Sequence, residues 1–140
     1  MIAVDTNVLI YAVDVTEPIK SKLAEQLLHD LSARGESIVV PWQVAAEFLA
    51  CLRRWISAGR ISWTDADAYL SRFIGPLPLV FPSATVLQSS LSLSQRHSLS
   101  HWDSLLLAAC IEAGVTQLYS EDLSSGTTYD GVLVTNPFPP

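Results

Sequence analysis

The stretch AVDTNVLIYAVD, residues 3–14, sets Asp5 and Asn7 inside an otherwise apolar run close to the start of the sequence. Ile2 to Val4 reads as a short buried strand ending at Asp5, and a helical turn should follow with Asp5 or Thr6 as its cap. A carboxylate at the end of a buried strand carries a desolvation cost, so the fold must give it either a structural partner or a task. The reading of the rest of the chain follows from that choice.

From Glu17-Pro18 onward, Ile19, Leu23, Leu27, Leu28 and Leu31 recur at helical spacing until Arg34-Gly35 closes the segment. Ser37 to Val40 reads as a second strand. Pro41 stops it and opens a helix whose apolar positions Ala45, Phe48, Leu49, Leu52 and Ile56 share one face. Thr64 to Phe73 is predicted as a further helix, with Thr64-x-x-Asp67 as its N-terminal box. After Gly75-Pro76-Leu77-Pro78, the chain should give a brief strand at Leu79 to Phe81 and helices over Ser83 to Arg96 and Trp102 to Ala113. Strands are expected at Val115 to Ser120 and Val132 to Thr135. Short apolar strands alternating with helices define an α/β fold, here a three-layer α/β/α sandwich around a short, mainly parallel sheet.

The chain has 140 residues, 49% of them hydrophobic. That fits a single domain over residues 1–140, and a chain of this length buries about 70% of its unfolded surface. No repeat or long linker divides it. Cys51 and Cys110 each fall in an apolar helical pattern, which suits reduced core residues better than a disulfide or metal cluster. The first apolar run is interrupted by Asp5, Asn7 and Asp14 and lacks a preceding positive charge, so no secretory signal is read there, and no stretch is long enough for a membrane span. The expected location is the cytoplasm.

Eight Lys and Arg against fourteen Asp and Glu give a formal charge of −6. Such a balance argues against a protein that coats nucleic acid through bulk positive charge, but a localised acidic site accounts for part of the excess. In a parallel sheet every strand ends at one rim, and ligands bind there. Asp5 belongs to that rim. Asp103, at the start of one predicted helix, and Asp122, after the strand that returns from it, come back to the same neighbourhood. Glu47 lies roughly 9 Å into the helix after the second strand, and its Cα–Cβ bond leans back toward the rim.

Each acid also has a purely structural explanation. Asp5 caps the turn after it, Ser100-x-x-Asp103 resembles a capping box, Asp122 opens a turn, and Glu47 lies on a solvated face. The neighbours weigh against this. Gln43, Val44, Ala50 and Cys51, three and four positions from Glu47, offer it no cation, and Leu106 and Leu107 put Asp103 on a core-facing stripe. Four carboxylates without lysine or arginine would raise one another's pKa values unless hard divalent cations joined them. One or two Mg²⁺ or Mn²⁺ ions would activate water and stabilise a leaving oxygen in phosphodiester cleavage.

Over nearly the whole chain, VDTNVLIYA, PWQVAAEFLACLRR, HWDSLLLAAC, LYSEDLSSG and VLVTNPF resemble, in this order, the PIN domain of VapC-type toxins. The resemblance implies a metal-dependent endoribonuclease of a toxin–antitoxin pair, often homodimeric and held in check by a cognate antitoxin. It implies that Asp5, Glu47, Asp103 and Asp122 hold Mg²⁺ or Mn²⁺, with Asn7 supporting the first aspartate and Thr6 and Ser120 as further polar neighbours. Ser104 replaces an alanine expected after the third acid, and SSGTTYDG, residues 124–131, replaces a more polar loop. Both bear on substrate preference.

Arg53, Arg54 and Arg60 form the densest basic group and are candidate RNA contacts beside Trp55 and Trp63, although arginines closing a helix also offset its dipole. His97 and His101 have a spacing compatible with zinc but lack a third partner. Ile19, Leu23, Leu27, Trp42, Phe48 and Trp55 read most simply as core; surplus apolar residues on the early helices would form a groove for a dimer mate or an antitoxin helix. The alternatives are a PIN nuclease of RNA processing rather than a toxin, a silent PIN-like binding module, and a receiver-type phosphoryl-transfer domain. The last would add a late lysine, and none follows Lys22.

Overall fold

The computed structural model describes residues Met1–Pro140. The chain runs β1 (Ile2–Val4), α1 (Thr6–Val13), α2 (Pro18–Ala33), β2 (Ile38–Pro41), α3 (Trp42–Ser57), α4 (Trp63–Ile74), β3 (Leu79–Val80), α5 (Thr85–His97), α6 (His101–Ala113), β4 (Gln117–Tyr119), β5 (Thr128–Tyr129) and β6 (Val132–Thr135). The strands make one six-stranded sheet in the order β3-β2-β1-β4-β6-β5. Every pairing is parallel except β5 with β6. This is the α/β architecture expected from the alternation of elements.

The strand order decides where a site can form. From β1 the chain builds outward through β2 to β3, then returns to the other side of β1 to add β4. The seam between β1 and β4 is therefore the switch point, and the loops leaving their C-terminal ends diverge to opposite sides and open a crevice. Its register pairs Ile2 with Gln117, Ala3 with Leu118 and Val4 with Tyr119. Asp5 and Ser120 thus leave the sheet side by side.

All residues of β1 and β2 are buried, as strands covered on both faces require. On α3 the residues Val44, Ala45, Phe48, Cys51, Leu52 and Trp55 form the buried face, and the Phe48 ring meets Phe73 of α4 edge-on at 5.7 Å. Burying a side chain of this size contributes about 1.5–3 kcal/mol, so α3 is fixed mainly by its apolar stripe. Ser104, Leu106, Leu107, Ala108, Ala109 and Cys110 of α6 are buried together, which makes α6 a central helix. Both cysteines are free and buried, and burial pushes the Cys110 thiol up to about 12.

Some local details differ from the sequence reading. The N-terminal box of α4 is formed by Ser62 and Asp65, with hydrogen bonds of 2.9 and 3.0 Å, instead of Thr64 and Asp67. A serine two residues earlier wins because its extended backbone lets the hydroxyl reach the third helical amide. Ile19 is 71% exposed and Trp42 50% exposed, so neither belongs to the core, whereas Phe48 and Trp55 do. The segment 124–131 contains a strand, β5, joined to β6 by Asp130-Gly131, both at positive φ (46° and 93°). An Asp-Gly pair suits that two-residue hairpin turn, and Arg96 clamps the Asp130 carboxylate through two bonds of 2.8 and 2.7 Å.

Candidate active site

Asp5 extends β1 by one step: its amide donates to the Tyr119 carbonyl at 2.9 Å. Its side chain then caps α1, with Oδ1 accepting the Thr6 amide at 2.7 Å and Oδ2 accepting the Ser120 hydroxyl at 2.7 Å. Ser120 is fully buried, and its Oγ in turn accepts the Asp122 amide at 3.1 Å. One hydroxyl therefore joins the ends of β1 and β4 and orients the first residues of the loop that follows.

Glu47 reaches the same rim from the second turn of α3. Its Oε2 accepts the Thr6 hydroxyl at 2.8 Å, and its Oε1 accepts the Gln43 amide at 3.0 Å. Gln43 also donates to the Trp102 carbonyl at 3.0 Å, which ties α3 to the first turn of α6. Asp122 accepts a 3.2 Å bond from Asn7 Nδ2. The Asn7 Oδ1 atom is buried without any hydrogen-bond partner. Burial raises the Asp5 pKa most; the bonds from Ser120 and Thr6 lower it, the charges of Asp122 and Glu47 raise it again, and the result is about 6.

Asp103 is half-buried at the start of α6, and its amide is capped by Ser100 Oγ at 3.2 Å. The carbonyl of the preceding residue, Trp102, accepts from Gln43, which also holds Glu47, so the first turn of α6 adjoins that part of α3. The return half of the capping box is absent, so the Asp103 carboxylate is not occupied by the helix end. The acids do not form a tight knot: no three His, Cys, Asp or Glu side chains in the chain close to metal-holding distance. Asp5, Glu47 and Asp122 are each held on their own polar neighbours. Nor does any of the four pair with a base, since the ion pairs of the chain involve Glu121, Asp14, Glu25 and Asp130 instead.

In chemical type, though not in the spacing of its carboxylates, the donor set suits a hard divalent cation. It consists of oxygens, it includes a buried carboxylate, Asp5, whose ionised form lacks a cationic partner, and the orphaned amide oxygen belongs to Asn7, whose nitrogen bonds Asp122.

The basic residues are placed elsewhere. Arg60 stacks over Trp55 at 4.3 Å and pairs with the buried Asp14 at 3.0 Å, so it locks the end of α1. Arg53 and Arg54 are exposed, roughly 9–11 Å along α3 beyond Glu47. His97 packs edge-on against Tyr129 and His101 against Trp102, so the two imidazoles serve different contacts.

Sequence reasoning missed Gln43, which bridges Glu47 and α6, and a second group at the rim. Tyr11 donates to Glu121 Oε1 at 2.5 Å, and Lys20 donates to Glu121 Oε2 and to the Tyr11 hydroxyl, each at 3.1 Å. The spacing of Asn7 and Tyr11, one helical turn apart and facing Asp122 and Glu121, is the signal that was available. Beside the site, a groove of about 560 Å³ runs between α3, α5 and α6, with Glu47 and Gln43 at one end and Trp42, Leu87 and Trp102 along its walls.

An α/β sheet with a carboxylate-rich crevice at its switch point defines the class. The chain belongs to the PIN domain family, whose model matches residues 2–124. No curated protein matches the sequence. Among solved structures, the chain is similar to VapBC2 from Rickettsia felis bound to a DNA fragment from their promoter, with TM-score 0.72 and 17% identity over 97% of this chain and 98% of that one. It is also similar to a toxin–antitoxin complex from Klebsiella pneumoniae (TM-score 0.66, 17% identity, 99% and 98% covered). A third likeness is to VapC20 of Mycobacterium tuberculosis, a sarcin–ricin loop cleaving toxin (0.63, 18%, 87% and 90%). At these identities the likeness establishes the fold.

Proposed function

We propose that the chain is a single nuclease domain, residues 1–140, that hydrolyses RNA phosphodiester bonds with Mg²⁺ or Mn²⁺ held by Asp5, Glu47, Asp103 and Asp122. The observation that carries this reading is the set of acids itself. Asp5 is 5% exposed and electrostatically loaded by Glu47 and Asp122, yet none of the four has an ion-pair partner. Bound there, one or two divalent ions supply charge to the scissile phosphate and acidity to a water molecule. Thr6 and Gln43 orient Glu47, Ser120 and the Thr6 amide orient Asp5, and Asn7 orients Asp122. Proton acceptance falls to a carboxylate of this group, since no nucleophilic side chain is set against it.

The similar solved structures include two toxin–antitoxin complexes, which supports a toxin role with a small cognate antitoxin encoded nearby. The groove walled by Trp42, Leu87 and Trp102 supports a homodimer packed through α3, α5 and α6. No helix is long and apolar enough to cross a membrane, and buried free thiols together with an RNA substrate support action in the cytoplasm. Cleavage of a structured RNA by the purified chain should stop with a chelator and return with Mn²⁺. Wild-type cleavage by a folded Asp5→Asn protein would overturn the mechanism. Unimpaired growth on induction without a partner would leave a nuclease of RNA processing in place of a toxin.

A further inference from the structure

The rim carries a fifth carboxylate whose place in the chemistry is set by its partners. Glu121 adjoins Asp122, but both of its oxygens are engaged, Oε1 by the Tyr11 hydroxyl and Oε2 by the Lys20 ammonium. It is therefore not free to take a cation. The three side chains form a closed triangle, because Lys20 also donates to the Tyr11 hydroxyl at 3.1 Å. Its ammonium lies 4.6 Å over the Tyr11 ring, which meets Phe138 edge-on at 5.0 Å. A lysine held by a carboxylate, a phenol and an aromatic face has lost most of its freedom, so the triangle is a rigid fitting between α1, α2 and the loop after β4.

Its geometry repeats that of the adjoining pair. Asn7 and Tyr11 occupy one face of α1 a single turn apart, and they hold Asp122 and Glu121 respectively. The loop beyond Ser120 is thus fastened at successive residues, with Lys20 bracing the second fastening from α2. We propose that Glu121, Tyr11 and Lys20 are positioning residues that fix the Asp122-bearing loop and thereby set the affinity of the acidic crevice for a divalent cation. The cation half of this proposal rests on the metal-dependent reading above.

The sign of one substitution separates positioning from simple charge. Lys20 is a positive group near a cation site, so by Coulomb repulsion alone its removal should tighten cation binding. Positioning gives the opposite result. Mn²⁺ binding to the full chain without RNA, measured by titration calorimetry, should weaken about 10-fold in Lys20→Met and in Tyr11→Phe, the usual scale for losing a group that orients a ligand. The double variant should be little weaker than either single one, because the triangle acts as a unit. Lys20→Arg, which keeps the charge, should restore most of the affinity. Unchanged or tighter Mn²⁺ binding in Lys20→Met would overturn the proposal.

Hydrogen exchange at the Asp122 amide, bonded to Ser120 Oγ, supplies a readout independent of metal. It should quicken in Lys20→Met and Tyr11→Phe while exchange in the β1–β4 ladder stays slow; unchanged exchange would overturn the tether. If the wild-type chain and Asp5→Asn alike bind no Mn²⁺, the metal-dependent reading falls together with the affinity half of the proposal. Exchange at Asp122 then decides the tether by itself.

Discussion

Ser120 Oγ lies 2.7 Å from Asp5 Oδ2 across the seam between β1 and β4, donating to one acid while accepting from the amide of another, Asp122. No other single hydroxyl touches two of the acids, and Ser120 is wholly buried. Ser120→Ala leaves a buried carboxylate oxygen and an amide short of a partner, so it should cost about 1–3 kcal/mol in urea unfolding. It should also weaken Mn²⁺ binding by about 10-fold. A variant as stable as the wild type, with the same affinity, would show the hydroxyl to be dispensable.

Asp5 carries the pH dependence. Its folded pKa, about 6, lies above the ordinary 3.8 because burial, with smaller contributions from Asp122 and Glu47, disfavours the charge. A raised acid favours the folded chain below pH 4 or so, where both states are protonated. That advantage declines as pH rises, since the unfolded chain ionises first, and it is fully lost above the folded value. In the presence of a chelator, thermal stability should therefore fall between about pH 4 and pH 6 on account of this group. Asp5→Asn should flatten that fall, raise the melting temperature at pH 7.5, and abolish Mn²⁺ binding. A melting temperature below wild type at pH 7.5 would count against this electrostatic account.

Arg60 and Arg54 should separate stability from RNA contact. Arg60 pairs with the buried Asp14 and covers Trp55, so Arg60→Met should destabilise the chain by about 1–3 kcal/mol through the lost charge-assisted bond, with Asp14 keeping its two bonds from Thr16. Arg54 has no ion pair. Arg54→Ala should leave unfolding within about 0.5 kcal/mol of wild type. If Arg54 contacts RNA phosphates, its loss should weaken RNA binding and lower its salt dependence; filter binding at two salt concentrations would measure both.

Leu87, on the wall of the apolar groove, is 64% exposed, and Leu91, one turn further along α5, is 74% exposed. Adjacent exposed leucines are costly in an isolated chain and normal in an interface. If the proposed homodimer packs on this face, Leu87→Glu should shift it from dimer to monomer in sedimentation equilibrium while leaving its helical circular dichroism unchanged. An unchanged molecular weight would remove this face from the assembly.

The alternating pattern of apolar strands and helices made the sheet legible in the sequence, because buried strands and one-faced helices both leave periodic signatures. β5 was not legible in that way. Thr128 and Tyr129 are too short to show a period, and only the Asp130-Gly131 pair announced a turn. Trp42 and Ile19 were misplaced for a different reason: a hydrophobic residue at the right helical phase reads as core whether a partner covers it or not. At the site, residue type and position relative to strand ends brought Asp5, Glu47, Asp103 and Asp122 forward. The supports were harder to see. Gln43 and Lys20 act through side-chain reach between elements that meet only in three dimensions, and nothing local marks such a contact.

The parallel pairing of β1 with β4 joins the beginning of the chain to a segment more than a hundred positions later, with α1 to α6 closing between them. Contacts of such long sequence separation form late in folding, after much of the loop entropy has been lost. Asp5 therefore meets Ser120, and Asp122 meets Asn7, only when the last parallel strands have docked. For the proposed ribonuclease this means that a nascent or partly unfolded polypeptide would be harmless to the RNA that encodes it, and the capacity to cut would arise all at once with the completed sheet.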